Sequence, residues 1–339
     1  MEARENEVYE RVCNVLGFRG NVGFLENEAD ATNIKQKLIL QEAKDKMGID
    51  AVYFIQTALN SLPVPVIYFK KLKTIDTTEL RKLHKRIWNQ GRTPLLFVIS
   101  PTEIILYNCF EPPPKTLLED LDAGKRLIRK LTMVANEEEI RQSLGEFSRE
   151  KIDIGSFLST ENRFNAENRA DQHLLRNLRF CRRELISKGL NYKHVHSLMG
   201  RSIFILFLED RGALVDFFNN FHEDKQYKKF TDVLPNEEDT YELFSCISRH
   251  FNGDMFPVTD DERNSVNVIH LSKLKAFLRG RDPDGQERLW PYSFDVIPIE
   301  FISSIYMRNS YILRIINLRR KEKTTALPII PLCFLLNFF

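Results

Sequence analysis

The stretch IDAVYFIQTALNSLPVPVIYFK, residues 49–70, decides how the chain folds. Two runs of β-branched and aromatic residues flank a more polar break, which reads as two strands over residues 49–56 and 64–69. Pro65 sits near the start of the second run, where a strand tolerates proline. Moving outward, residues 95–100 and 103–107 repeat the pattern, joined by a tight Ser100-Pro101-Thr102 turn. A basic helix over residues 77–88 separates the second strand from the third. Upstream, Val8, Val12, Val15 and Leu16 recur at helical spacing over residues 5–16, and Gly17, Gly20 and Gly23 then break the pattern. A second helix, residues 33–46, turns Ile34, Leu38 and Ala43 inward and stops at Gly48.

Helix, helix, strand, strand, helix, strand, strand predicts one α/β domain over residues 1–111, ending near Phe110. Pro112-Pro113-Pro114 is a stiff stop and marks the boundary. Beyond it the spacing predicts helices at 117–135, 137–147, 172–188, 195–214, 239–251, 271–278 and 297–305. The fold class is therefore α+β: an α/β domain followed by a mainly helical connector over residues 112–306.

Composition narrows the function classes. The chain has 339 residues, 43% of them hydrophobic and 28% charged, which excludes a disordered or collagen-like chain. With 49 basic and 47 acidic residues the net charge is +2, so binding to nucleic acid has to come from local patches. Cys13, Cys109, Cys181, Cys246 and Cys333 form no CxxC pair and read as reduced thiols. The charged start MEARENEVYERV is no signal peptide, and no apolar run reaches the ~18–20 residues a bilayer requires. A cytoplasmic protein without a membrane partner is expected.

Asp50 opens one strand and Lys70 closes the next. A nuclease of the PD-(D/E)xK type uses that layout: an Asp and a second acid hold a divalent metal, and a Lys two residues after the second acid assists the attacking water. Asp50 and Lys70 are the catalytic candidates, Asp50 the metal candidate, and Mg²⁺ the expected ion if the site is active. The position two before Lys70 is Tyr68, and a phenol with a pKa of ~10 is a poor Mg²⁺ ligand. Glu42 or Glu26 could supply the second acid. In the plainer reading, Asp50 caps a strand and Lys70 is a solvated strand end.

The run Arg81, Lys82, His84, Lys85, Arg86, with Trp88, Gln90 and Arg92, is the most basic stretch. Lys82, Lys85 and Arg86 could neutralise phosphates of double-stranded DNA, and the Trp88 indole could stack on a base. Trp88, Gln90 and Arg92 complete the DNA-contact candidates. Alternatively the helix is solvated on that face, with Leu80, Leu83 and Ile87 inward. A second patch, Arg176, Arg179, Arg182 and Arg183, reads first as a solvated face and second as a backbone track. Other motifs are weak: no HExxH, P-loop, GxSxG or GxGxxG occurs, His194 and His196 point to different sides of a helix, and residues 279–285 form a plain turn.

Three stretches carry a family resemblance. GIDAVYF (48–54), IYFK (67–70) and WNQGRTPLL (88–96) are similar to the N-terminal region of large type IIG-like restriction–modification proteins. MGRSIF (199–204) with FLEDRG (207–212) resembles the helical segment before their N6-adenine DNA methyltransferase core, and IPIEFISSIY (297–306) resembles the helix leading into it. The resemblance implies a phage-defence protein whose N-terminal α/β domain is nuclease-like. It also implies S-adenosylmethionine as the cofactor of the full-length parent, bound through a GAxYTP-like segment and used with an NPPY-type loop. Neither motif occurs here, so no cofactor is expected in this chain and no methylation by it. Read one frame over, residues 325–332 (TALPIIPL) can give Gly-Ala-Ser-Tyr-Tyr-Thr-Pro, which predicts that residues 307–339 are a frameshifted tail of a truncated product. The sequence therefore points to a DNA-binding N-terminal fragment. An active Mg²⁺-dependent endonuclease and a non-catalytic interaction module are the alternatives.

Overall fold

A computed structural model describes residues 2–55, 63–132, 136–162, 164–222, 225–250, 257–280 and 291–298. The helix expected over 297–305, the turn at 281–285, Cys333 and the tail at 307–339 lie wholly or mostly outside these residues. The chain is α+β and divides into two compact units, Met1–His173 and Leu174–Phe339.

The first unit is built on a six-stranded mixed sheet. Its elements are α1 (Glu2–Val15), β1 (Phe24–Leu25), α2 (Ile34–Met47), β2 (Ala51–Ile55), β3 (Val64–Lys71), α3 (Thr77–Gln90), β4 (Leu95–Ile99), β5 (Glu103–Asn108), β6 (Leu127–Thr132), α4 (Glu137–Leu144) and α5 (Arg149–Asp153). The strands lie in chain order. β3 and β4 are parallel, as a helical crossover through α3 requires, and the other neighbours are antiparallel. The β4–β5 turn is closed by Ser100, whose Oγ accepts the Glu103 N–H at 2.9 Å.

Side-chain alternation sorts the strands into two buried faces. Tyr53, Ile67, Phe69, Leu95, Phe97 and Leu106 pack with Val8 and Val12 of α1 and Ile140 and Leu144 of α4. Val52, Tyr68, Leu96, Val98 and Ile105 pack with Leu40 and Ala43 of α2 and Leu83 and Ile87 of α3. The sheet is thus covered on both sides by the unit's own helices.

Four expectations change. Ile34 and Leu38 are 69% and 57% exposed; α2 instead buries Gln36, Ile39, Leu40, Ala43 and Met47, a stripe on the opposite side of the helix. β1 is an extra edge strand. Its approach to β2 demands Gly23, where a Cβ would sit 2.4 Å from the Phe54 carbonyl oxygen. Among the described residues of the stretch expected to be helical at 117–135, a loop and β6 occupy 117–132, and β6 pairs with β5. The sheet therefore continues past the three prolines, and the unit runs to His173 instead of closing near Phe110.

The second unit is helical: α6 (Ala170–Ser187, entered from the first unit), α7 (Tyr192–Asp210), α8 (Val215–Phe221), α9 (Phe230–Val233), α10 (Glu237–His250), α11 (Asp260–Ser265) and α12 (Val268–Leu278). Leu178, Leu185, Leu198, Phe230, Leu243, Phe244, Leu271 and Leu274 are buried in it. Asn191, Thr259 and Asn267 cap α7, α11 and α12 through side chains that accept N–H groups of the first turn. No helix among the described residues is long and apolar enough to cross a membrane.

Candidate functional site

The β2–β3 pairing sets Ala51 opposite Phe69, so the next residues out, Asp50 and Lys70, face each other at the sheet end. The Lys70 Nζ lies 3.7 Å from the Asp50 carboxylate and donates to the Gly48 carbonyl. Gly48 caps α2 at φ +63°, a left-handed conformation that glycine adopts without strain. Asp50 Oδ2 also accepts the Lys71 N–H at 2.7 Å. The structure therefore brings together the two residues singled out for catalysis, at the carboxyl end of the parallel β3–β4 pair.

The other candidates for the second acid have partners of their own, and Tyr68 is no acid. Tyr68, at the position of a second acid, is fully buried; burial pushes its pKa up to about 12, and its hydroxyl donates to Gln90 Oε1 at 2.6 Å. Gln90 Nε2 lies 3.4 Å from Glu42, which accepts Arg92 at 2.9 Å and lies 3.5 Å from Lys46. Glu42 is thus engaged by two cations and an amide. Glu26 follows Leu25, which pairs with Val52, so alternation puts it on the α1 face, opposite to Asp50. There it binds Tyr9 and Arg19, and these hydrogen bonds hold its carboxyl below the usual range although burial alone would raise it. Lys71 likewise points to the α1 face, its Nζ 4.9 Å from the centre of the Tyr9 ring. One carboxylate with a lysine beside it does not make the oxygen cage a hard divalent cation requires.

The DNA-contact candidates separate by burial. Trp88 is fully enclosed, donates Nε1–H to the Asn168 carbonyl at 2.9 Å and meets the His173 ring edge-on. Its indole is not available to stack on a base, which corrects the expectation. Gln90 is buried in the Tyr68–Glu42 chain and Arg92 is paired with Glu42, so both serve inside the fold. Lys82 is exposed and pairs with Glu79 at 2.8 Å; Lys85 and Arg86 are half-buried on the same helix. Arg81 binds the carbonyls of Leu117 and Glu119, anchoring the loop before β6. His84 is buried too; burial lowers its pKa to about 4, and Nε2 lies 3.2 Å from the Asn108 carbonyl oxygen.

The helical motif residues have structural partners. Arg201 and Glu262 form a buried ion pair, with the guanidinium 4.8 Å from the centre of the Phe244 ring and Tyr241 donating to Glu262 at 3.2 Å. Glu209 accepts the Phe230 N–H at 2.7 Å and Asp210 the Phe294 N–H at 2.8 Å. His194 lies 3.1 Å from Asp261. A cluster that the sequence spacing did not flag is His222, Asp239 and Glu242, whose potential ligand atoms all lie within 4.8 Å of one another. Asp239 is already bound by Tyr227 and by Lys225 at 2.6 Å, so a lysine supplies the positive charge there.

Comparison with known proteins adds no relative: no family model, no curated protein and no solved structure matches the chain.

Proposed function

We propose that this chain is a double-stranded DNA-binding protein of the restriction–modification kind, with a nuclease-like sheet that does not cut. The observation that carries the reading is the Asp50–Lys70 pair at the carboxyl end of β3. It stands where a PD-(D/E)xK-type site would place its first acid and its lysine, while buried Tyr68 stands where the second acid would be. Asp50 and Lys70 fall within the stretches 48–54 and 67–70, which resemble type IIG-like proteins. Because the donor set does not fit a divalent ion, no hydrolytic step is assigned to it. On α3 the exposed Lys82 and the half-buried Lys85 and Arg86 contribute phosphate contacts.

The test uses the full chain and duplex DNA. Plasmid incubated with Mg²⁺ or Mn²⁺ is expected to stay supercoiled, while the protein retains duplex at low salt. Changing Lys82, Lys85 and Arg86 to Ala is expected to flatten the salt dependence of binding by up to about 3 in log–log slope. Metal-dependent cleavage that disappears in Asp50→Ala would establish the endonuclease instead. Absence of DNA retention at low salt would leave an interaction module.

A further inference from the structure

Helix α6 carries the densest acid-free run of arginines among the described residues. Between Gln172 and Arg183 there are four arginines and no Asp or Glu. Arg176, Arg179 and Arg183 are exposed and Arg182 is half-buried. At 3.6 residues per turn the four fall within about 120° of the helix circumference and along about 10 Å of its length. The inward side of the same helix is Leu174, Leu175, Leu178, Cys181 and Leu185, all buried, so packing fixes which side the arginines present.

The flanking acids are already occupied. Asp171 lies 3.3 Å from Arg169, and Glu184 lies 3.5 Å from Lys273 of α12. No acid among the described residues pairs with Arg179, Arg182 or Arg183. The contrast with α3 is plain: there Arg81 binds loop carbonyls, Lys82 binds Glu79 and Arg92 binds Glu42. Arg176 has an interaction of its own within the fold, but Arg179, Arg182 and Arg183 are like charges on one helix face that repel one another with no acid among the described residues to offset them. A phosphate backbone relieves that repulsion. The planar guanidinium fork matches phosphate oxygens two at a time, which makes arginine well suited to the contact.

We propose that the outer face of α6 is a phosphate-tracking surface that holds the backbone of duplex DNA, with Arg176, Arg179 and Arg183 as the contacts. This rests on the DNA reading above but places a second contact face in the helical unit, separate from α3. No base is read by it, since every contact falls on phosphate, so it adds affinity and salt dependence without sequence preference.

The experiment measures binding of the full chain to a short fluorescent duplex by anisotropy, between about 50 and 200 mM salt. Arg176→Gln, Arg179→Gln and Arg183→Gln combined is expected to lower the log–log salt slope by about 2–3, with helical circular dichroism unchanged. The three Arg→Lys changes together are expected to keep most of that slope while binding more weakly. A slope unchanged in the Gln variant, with wild-type protein still binding, overturns this surface and leaves the DNA reading standing. No binding by wild-type protein overturns both. Competition by polyglutamate as effective as unlabelled duplex also overturns it, because the partner would then be an acidic polypeptide.

Discussion

His84 shows how one residue can set an acid limit on the fold. Its ring is enclosed between α3 and β5, with Nε2 near the Asn108 carbonyl oxygen, while Nδ1 has no hydrogen-bond partner. A neutral imidazole donating through Nε2 satisfies that arrangement; an imidazolium would leave a second buried donor and an unpaired charge. The folded pKa of about 4 lies below the unfolded value of ~6.5. Between these values the unfolded chain binds the extra proton, so stability is complete above about pH 6.5 and declines as pH falls toward 4. The full loss across that window is about 3 kcal/mol. His84→Gln removes the titration, so the stability gap between wild type and variant is expected to narrow as urea unfolding is moved from pH 7.5 to 5. A gap of constant size would contradict a buried neutral histidine. The site itself was legible at this scale only in part. Asp50 and Lys70 could be placed together because an antiparallel hairpin pairs residues by simple counting. The enclosure of Trp88 could not, because its partner Asn168 lies 80 residues away along the chain.

At the scale of elements, local pattern explains which segments were readable. β2 through β5 are continuous runs buried on both faces, and such runs announce themselves. β6 reads LIRKLT, an edge strand with only Ile128 buried, and its alternation is easily taken for helix. β1 is two residues long and exists because Gly23 lets the chain approach Phe54. β6 is held by its pairing with β5, and in the loop that leads into it Arg126 makes four hydrogen bonds. Arg126 donates to Leu121 O at 3.1 Å, Asp120 O at 3.0 Å, Pro112 O at 3.4 Å and the Glu119 carboxylate at 2.5 Å. Arg126→Met keeps the apolar stem and removes these bonds, leaving the buried Leu121 carbonyl unpaired. A loss of about 2–3 kcal/mol is expected, with faster amide exchange concentrated in residues 115–132. Exchange rising equally across the whole sheet would mean that Arg126 supports the fold globally and not the β6 loop.

For the whole molecule, the sheet unit encloses a complete core. Each of its two faces is covered by helices drawn from the same stretch of chain, α1, α4 and α5 on one side and α2 and α3 on the other. No member of either buried cluster lies beyond Phe164. The helical unit is stabilised differently, with the buried Arg201–Glu262 pair inside it; removing one partner of such a pair costs about 3–5 kcal/mol because the other charge is left without compensation. Among the described residues, the buried clusters on the two faces of the sheet are built from the first unit alone. A protein of residues 1–173 is expected to be soluble and to unfold in a single cooperative urea transition. Phe97→Ala, which empties a fully buried site stacked on Phe69, is expected to lower that transition by about 3–5 kcal/mol in the fragment and by a similar amount in the full chain. Glu262→Ala in the full chain is expected to accelerate amide exchange in α7 and α10 while leaving β2–β5 protected. If the fragment aggregates or melts without cooperativity, or if Glu262→Ala deprotects the sheet as strongly as the helices, the two units share one folding transition, and the sheet's own core is insufficient to hold it.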